Sequence, residues 1–229
     1  MLGETEFTPI LREITRQLSL VSSLSEFKEQ KNINIMILSP HPDDEIISGA
    51  LALRLQHEYG AKILNIAVTL GSNKQRQAAR IKELTKACSY LNFDNRILSE
   101  SWTKKVQELK QIIKEFSPDV IIAPHLKDHH PAHIKTGELL KKTLPLLPKK
   151  FSCIIAWSEF WGMNHKVNLL LEVPLNILSI QMKALTFHAG EVERNPYHLR
   201  LPSWMMDNVR RGAELVSKPG AKSPSFAFG

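Results

Sequence analysis

The chain has 229 residues, of which 43% are hydrophobic and 23% are charged. This composition is typical of a globular protein, and the length suits a single α/β domain. The formal net charge of +7 permits nucleic acid, anionic lipid or an acidic substrate as a partner, so charge alone selects none of them. Two cysteines exclude a disulfide scaffold and a cysteine-ligated zinc finger. The nine histidines are more informative, because four of them fall between residues 125 and 133.

The sequence shows no targeting or membrane segment. The N-terminus lacks the basic start and apolar run of a signal peptide. The most apolar later stretch, residues 167–180, is interrupted by polar residues and is too short to span a bilayer. We therefore expect a cytoplasmic protein without a transmembrane segment.

Hydrophobic periodicity predicts the order of helices and strands. An amphipathic helix over residues 6–29 precedes the first buried strand at 32–39. Further helices are predicted over 45–59, 74–91, 103–116, 133–142 and 174–190, and further strands over 61–70, 96–98, 118–124, 152–157 and 167–172. From residue 194 onward, Pro, Gly, Ser and basic residues become frequent, and we expect this tail to wrap the surface. The alternation predicts a doubly wound, mostly parallel sheet with helices on both faces, in a single α/β domain.

Metal-binding residue types follow two of these strands. Residues 41–45 (His-Pro-Asp-Asp-Glu) follow the first strand, and residues 128–133 (Asp-His-His-Pro-Ala-His) follow the fourth. Open α/β sheets bind ligands at the carboxyl ends of their strands. His41 and Asp44 can converge across a strand-to-helix turn, and a histidine from the second segment would complete two histidines and one carboxylate with an open position. That set is typical of catalytic zinc, and Asp43 would be free to act as a base on bound water.

Other interpretations of these residues exist. Each motif alone is commonly a solvated helix start or a surface loop, but their joint occurrence at two strand ends favours a site. The spacing His41-x-Asp43 with a distant histidine is also that of a two-histidine, one-carboxylate iron oxygenase, in which Asp43 is a ligand. Those sites usually lie in jelly-roll β proteins, whereas this chain alternates helices and strands.

A basic, non-catalytic binding protein is the remaining class. The residues that could form its basic patch are Lys141, Lys142, Lys149, Lys150, Arg210 and Arg211. Aromatic residues make up only 7% of the chain, and no RNA-binding signature occurs, so stacking platforms for bases are few. We therefore expect no nucleic-acid partner.

Several motifs, taken in order, resemble one family. Residues 39–45 (Ser-Pro-His-Pro-Asp-Asp-Glu), Thr69-x-Gly71, Arg80-x-x-Glu83 and His130-Pro-x-His133 resemble the PIG-L/LmbE-like superfamily of zinc-dependent N-acetyl (N-acetylglucosaminyl) deacetylases. Lys183-Ala-Leu-x-x-His188 is similar to the late Lys/His helix of that family, so the resemblance covers residues 33–190. It implies a Rossmann-like fold over residues 31–229, with residues 1–30 as an N-terminal helical extension. It also implies metal-dependent removal of an acetyl group from the amide nitrogen of an amino sugar or sugar conjugate.

The resemblance further implies roles for the matching residues. His41, Asp44 and His133 would bind Zn²⁺, or another divalent metal such as Fe²⁺. Asp43 would be the general base, and His130 would stabilise the oxyanion or protonate the leaving amine. The implied partner is a small N-acetyl sugar or conjugate, and a homo-oligomer is left open.

The remaining candidates have weaker support. Arg80 binds substrate in one interpretation and forms an ion pair with Glu83 in the other. His188 would line the pocket in one interpretation and is a core or surface histidine in the other. Asp128 would orient a loop histidine. His125 and His129 have no implied role and are expected at the surface. Ala132 replaces the Asp that usually stands in the family's His-Pro-Asp-His, which removes a carboxylate expected to support His130.

Overall fold

The computed structural model describes residues 4–16, 33–217, 220 and 224–229. The strands of its single sheet are β1 (Asn34–Ser39), β2 (Lys62–Ala67), β3 (Asp94–Ile97), β4 (Val120–Pro124) and β5 (Ile154–Ser158). The helices are α1 (Thr8–Arg16), α2 (Asp44–Ile47), α3 (Ala50–Tyr59), α4 (Lys74–Leu91), α5 (Trp102–Phe116), α6 (Pro131–Thr143), α7 (Leu175–Leu185), α8 (Ala189–Arg194) and α9 (Tyr197–Ser217). All strand pairs are parallel, which confirms the predicted α/β class.

The sheet has the strand order β3-β2-β1-β4-β5. The chain first builds outward from β1 to β3 and then crosses to the other side of β1 to form β4 and β5. In register, Ile35 of β1 is opposite Ile63 of β2 on one side and opposite Val120 of β4 on the other. The order of the strands therefore reverses between β1 and β4, and such a switch point forms a crevice at the carboxyl ends of the strands.

Two hydrophobic layers cover the sheet, because successive side chains of a strand point to opposite faces. Ile35 and Ile37 of β1 are buried in one layer with residues of α3, α4 and α7. Met36 and Leu38 are buried in the other layer with residues of α5 and α6. Helices on both faces therefore enclose β1 completely, as the near-continuous apolar sequence of that strand predicts.

Some predicted helices differ in extent. The helix predicted over 45–59 is divided into α2 and α3, with Ser48 and Gly49 between them. The helix predicted over 174–190 ends at Leu185, and α8 follows as a separate helix. Of the helix predicted over 6–29, α1 forms the part up to Arg16, and residues 17–32 lie outside the described residues.

Two predictions for the C-terminal third are wrong. Residues 167–172 form no strand, and Leu170 packs instead on Gly212 of α9. The tail from residue 194 does not wrap the surface as an irregular segment; it contains the 21-residue helix α9. Its buried residues Tyr197, Leu201 and Met205 recur every four positions and join the core on the β1–α7 side. Within the described part of the chain, no helix is long and apolar enough to cross a membrane.

Candidate active site

The turn between β1 and α2 forms the first part of the site. Asp44 Oδ2 accepts the backbone N–H of His41 at 2.9 Å, which closes the turn and holds the carboxylate beside the histidine. Asp43, the residue before α2, has a φ of 111° and a ψ of −30°. A residue with a Cβ adopts this left-handed region only at an energetic cost, and such a backbone persists where its surroundings hold it.

The loop between β4 and α6 forms the second part. Asp128 Oδ1 accepts the backbone N–H of His130 at 2.8 Å, while Oδ2 accepts those of Trp161 at 3.0 Å and Gly162 at 3.1 Å. The same Oδ2 lies 3.5 Å from His133 Nδ1. Asp128 therefore connects two loop histidines to the segment that follows β5.

The other two histidines of this loop differ in position. His129 is exposed, as the sequence predicts. The same prediction is wrong for His125, which is 6% exposed. Its Nε2 lies 2.7 Å from the carbonyl oxygen of Gly162. The segment after β5 covers His125, so this residue helps to fix that segment beside the site.

The two parts meet at the switch point between β1 and β4. His41, His130 and His133 each place a ring nitrogen within 4.8 Å of the others. Asp44 Oδ2 lies 3.3 Å from His41 Nδ1 and 3.5 Å from His133 Nε2. The ring of Phe160 lies edge-on to His133, with 5.6 Å between the ring centroids. Three imidazoles and one carboxylate thus surround one point beside an aromatic residue.

The donor set fits a small divalent metal. Zinc bonds of about 2.0–2.1 Å in tetrahedral geometry place neighbouring donor atoms about 3.3 Å apart. The separations of 3.3 and 3.5 Å from Asp44 Oδ2 to the nitrogens of His41 and His133 agree with that value. His133 directs Nε2 toward Asp44 and Nδ1 toward Asp128, as metal-binding histidines direct their second nitrogen to a carboxylate. The distance to Asp128 is long for a hydrogen bond, and within the described residues His133 Nδ1 has no hydrogen-bond partner.

His130 is close enough to be a ligand, but its hydrogen bond favours another role. Its Nδ1 accepts the backbone N–H of Ala132 at 3.2 Å, where His130 caps α6. A nitrogen that accepts a hydrogen bond carries no proton, so the neutral ring holds its proton on Nε2. A protonated Nε2 donates a hydrogen bond and does not bind a metal. The geometry therefore favours Asp44 as the third ligand and His130 as a donor, with a backbone N–H orienting the ring.

The two adjacent aspartates have opposite electrostatic surroundings. Burial raises the pKa of the Asp43 carboxyl well above its usual value, the carboxylates of Asp44 and Glu45 raise it further, and Arg80 opposes them. Burial also raises the pKa of Asp44, but its hydrogen bond with His41 and the nearby imidazoles outweigh burial, so the net shift is downward. Asp44 is therefore the carboxylate suited to staying ionised beside cations.

The two histidines at the start of α6 also differ. Burial lowers the pKa of His130, and the neighbouring imidazoles of His41 and His133 lower it further. Burial lowers the pKa of His133 as well, but Asp128 and Asp44 outweigh it, and the net shift is upward. His130 is therefore the ring that is neutral near neutral pH.

Arg80 is buried and paired, but not with Glu83. Its Nη2 lies 2.7 Å from Glu191 of α8, its Nε donates to the same carboxylate at 3.0 Å, and its Nη1 donates to the Leu70 carbonyl at 3.1 Å. Glu83 instead contacts Arg76 at 3.3 Å. The predicted pairing of Arg80 with Glu83 is wrong, because α8 brings the carboxylate of Glu191 to Arg80.

His188 is a core residue and not a pocket-lining one, so the structure agrees with the second of the two interpretations of this histidine. It is fully buried, and its Nε2 lies 2.7 Å from Oε1 of Glu45, which is also fully buried. The sequence places Glu45 in the motif after the first strand but assigns it no role and does not predict its pair with His188. Phe160 and Trp161 were also not identified, and no periodicity or motif marks their segment.

A comparison with known families agrees with the motifs. The family described as PIG-L, GlcNAc-PI de-N-acetylase, matches residues 36–144. The resemblance to the PIG-L family is confirmed. The matched segment runs from β1 through α6, so it includes both parts of the site, Arg80 and Asp128, but not Trp161, His188 or Glu191. No curated protein matches the chain.

Solved structures share the fold at low sequence identity. The conserved protein TT1542 from Thermus thermophilus is 18% identical, with a TM-score of 0.61 over 86% of this chain and 93% of its own. N,N'-diacetylchitobiose deacetylase from Pyrococcus horikoshii is 16% identical, with a TM-score of 0.60 over 99% of this chain and 93% of its own. The 4-carboxy-2-hydroxymuconate hydratase GalB from Pseudomonas putida is 14% identical, with a TM-score of 0.62 over 87% of this chain and 95% of its own. The fold thus occurs in a deacetylase and in a hydratase, so the site has to decide the chemistry.

Proposed function

We propose that the protein is a metal-dependent hydrolase that removes the acetyl group from the amide nitrogen of an N-acetylated amino sugar or sugar conjugate. The observation that carries the proposal is the convergence of His41, Asp44 and His133 beside Asp43 and His130 at the β1–β4 switch point. The match to the PIG-L family over the segment that holds these residues supports it, and the similar structures include a sugar deacetylase.

His41, Asp44 and His133 would hold the metal, and zinc is the ion that this nitrogen and oxygen set suits best. Fe²⁺ accepts the same donor types, so the ligands alone do not exclude it. When bound, zinc supplies Lewis acidity that polarises a carbonyl group and makes a water molecule more acidic. Asp128 faces His133 Nδ1 at 3.5 Å, the side from which a carboxylate orients a metal-binding histidine, while Nε2 faces Asp44.

Asp43 and His130 would carry the proton transfers. Asp43 is the general base: its carboxylate takes a proton from the attacking water, and its raised pKa suits that exchange. With Nδ1 accepting a backbone N–H, His130 would carry its proton on Nε2 and donate a hydrogen bond to the developing oxyanion. The amide C–N bond then breaks, the leaving nitrogen receives the proton that Asp43 took from the water, and acetate and the amine are released. This direct hydrolysis needs no covalent intermediate on the protein.

The segment after β5 supports a sugar as the substrate. Phe160 packs on His133, and Trp161 is 57% exposed although its backbone N–H is held by Asp128. Trp161 also contacts Trp204, with 6.3 Å between their ring centroids, and Trp204 contacts Tyr197 at 5.8 Å. A fixed, exposed indole beside the catalytic groups can stack on the apolar face of a pyranose ring, since binding sites combine aromatic walls with few polar groups.

Two other functions receive less support from the geometry. The iron oxygenase interpretation requires Asp43 as a ligand, but Asp44 is the carboxylate that contacts His41 and His133. In the basic binding interpretation, Arg210 and Arg211 would contact a polyanion, but both side chains lie in ion pairs with Asp207.

Acetate release is the direct test. The purified protein, loaded with zinc and in parallel with Fe²⁺, is incubated with N-acetylglucosamine, N,N'-diacetylchitobiose and inositol- or lipid-linked N-acetylglucosamine, and acetate and free amine are measured. We expect equal amounts of both products from at least one substrate. If the metal is bound and no amide releases acetate, the deacetylase proposal is wrong. If the protein instead adds water to an unsaturated carboxylate substrate, hydratase activity replaces the deacetylase proposal.

A further inference from the structure

We propose that His188 and Glu45 form a positioning pair that holds the backbone of Asp43 in its left-handed conformation. The inference rests on the proposed function, in which Asp43 is the base. It extends that function to two buried residues, neither of which contacts substrate. The pair joins the α7–α8 corner to the turn after β1.

The contacts form a continuous chain of hydrogen bonds. His188 Nε2 lies 2.7 Å from Glu45 Oε1, and the other oxygen of Glu45, Oε2, accepts the backbone N–H of Asp43 at 2.9 Å. His188 and Glu45 have no exposed side-chain surface. With both oxygens in use, the carboxylate can rotate only by losing one of the two bonds.

The conformation of Asp43 explains why such a pair is needed. Its φ of 111° is far from the φ of 54° and 49° at Asn92 and Ser117, the other described non-glycine residues with positive φ, which end helices α4 and α5 in ordinary left-handed geometry. α2 has only four residues, so it is too short to hold its first turn by itself. The N–H of Asp43 bonds to Glu45 of the same turn, and His188 holds the Glu45 carboxylate from outside that turn, so the pair favours the strained conformation over a relaxed one.

His188 is itself held by the corner between α7 and α8. Its backbone N–H donates to the Leu185 carbonyl at 3.0 Å, and its carbonyl accepts the N–H of Glu191 at 2.9 Å. Glu191 in turn holds Arg80, whose charge acts on the Asp43 carboxyl. The α7–α8 corner thus acts on Asp43 in two ways. Through His188 and Glu45 it holds the backbone N–H, and through Glu191 it positions the positive charge of Arg80.

A purely structural role would have a different signature. A buried carboxylate–imidazole pair contributes little net stability compared with well-packed apolar residues, so stability alone does not account for this pair. Gln181 provides a matched comparison, because it lies on α7, is fully buried and donates to the Ile46 carbonyl of α2 at 2.6 Å. It links α7 to the same short helix without touching Asp43.

The test compares His188→Ala, His188→Gln and Glu45→Ala with Gln181→Met in the zinc-loaded protein. Because a small misplacement of a catalytic group costs about 100-fold in rate, we expect His188→Ala and Glu45→Ala to lower kcat by about that factor. KM and bound zinc should stay near the wild-type values. His188→Gln, whose amide nitrogen reaches the position of Nε2, should recover most of the loss. Gln181→Met should lower the melting temperature as much as His188→Ala and leave kcat within about threefold of wild type.

A second measurement does not depend on activity. Hydrogen exchange of the Asp43 amide, followed by NMR, should be at least about tenfold faster in His188→Ala than in the wild type, His188→Gln or Gln181→Met. Unchanged exchange in His188→Ala, or an equal kcat loss in Gln181→Met, would overturn the positioning role. If the wild type releases no acetate, the proposed function fails, and the exchange measurement still decides whether the pair holds Asp43.

Discussion

Asp43 and Asp44 are neighbours in sequence, but the structure places their carboxylates in different electrostatic surroundings. Asp44 faces the imidazoles of His41 and His133, which lowers its pKa, whereas Asp43 is buried beside other carboxylates, which raises its pKa. A pair of groups whose surroundings move their pKa values apart is how a site separates a permanent charge from a proton acceptor. The proposed division between ligand and base thus follows from the different surroundings of two carboxylates in one turn.

Asp43→Asn tests the base. We expect this variant to bind zinc as the wild type does, because the ligands are unchanged, and to lose about two orders of magnitude or more in kcat, because the amide cannot accept the proton. Zinc is measured by elemental analysis and turnover by acetate release. Asp44→Asn is the matched control and should lose the metal instead. Loss of zinc in Asp43→Asn would identify Asp43 as a ligand.

His133→Ala and His130→Ala separate the two imidazoles at the start of α6. His133→Ala should lose stoichiometric zinc, because one of three ligands is removed. His130→Ala should keep zinc and lose turnover by about 100-fold, the scale of a missing oxyanion donor. Elemental analysis after dialysis against a metal-free buffer checks both variants. Zinc retained by His133→Ala would exclude that residue from the ligand set, and zinc lost from His130→Ala would place His130 in it.

At the scale of elements, the sequence predicts the strand ends at which the candidate site lies, but not all the tertiary contacts that position its residues. Apolar runs marked β1 and β4, and the residues after them marked the site. The bond between His188 and Glu45 could not be predicted, because 143 positions separate them and only tertiary packing brings them together. The segment after β5 has no period, since its contacts with Asp128 and His125 use backbone atoms. The sequence predicts no helix over α9 because Pro and basic residues are frequent there, although the apolar residues of this helix recur every four positions.

The exposed indole on the segment after β5 gives a prediction for substrate binding. Trp161→Ala should raise KM for the sugar substrate about 3- to 10-fold with little change in kcat, since a stacked aromatic contact contributes about 0.5–1.5 kcal/mol. Steady-state acetate release measures both constants. Trp102→Ala is the control, because that partly exposed tryptophan contacts Lys105 and Lys135 rather than the site histidines. An equal KM in Trp161→Ala and the wild type would remove Trp161 from the binding surface.

At the scale of the whole molecule, a series of packed helices on one face of the sheet supports the turn after β1. α1 packs against α7, and α7 contacts α2 and leads into the corner that holds His188. Leu11 of α1 is fully buried in the same hydrophobic layer as Ile46 of α2 and Leu178 of α7. Although the sequence suggested an extension outside the domain, this helix supplies core side chains behind the turn that contains Asp43.

Leu11→Ala therefore tests whether α1 contributes to the folded domain. Removing a fully buried leucine costs about 2–5 kcal/mol of unfolding free energy, and we expect a loss in that range from urea unfolding. Ile10→Ala is the matched control: its side chain is 57% exposed, so the loss should be about 0.5 kcal/mol or less. Because α7 loses part of its packing, the Asp43 amide should also exchange faster in Leu11→Ala. Equal unfolding free energies for the two variants would show that α1 does not stabilise the domain.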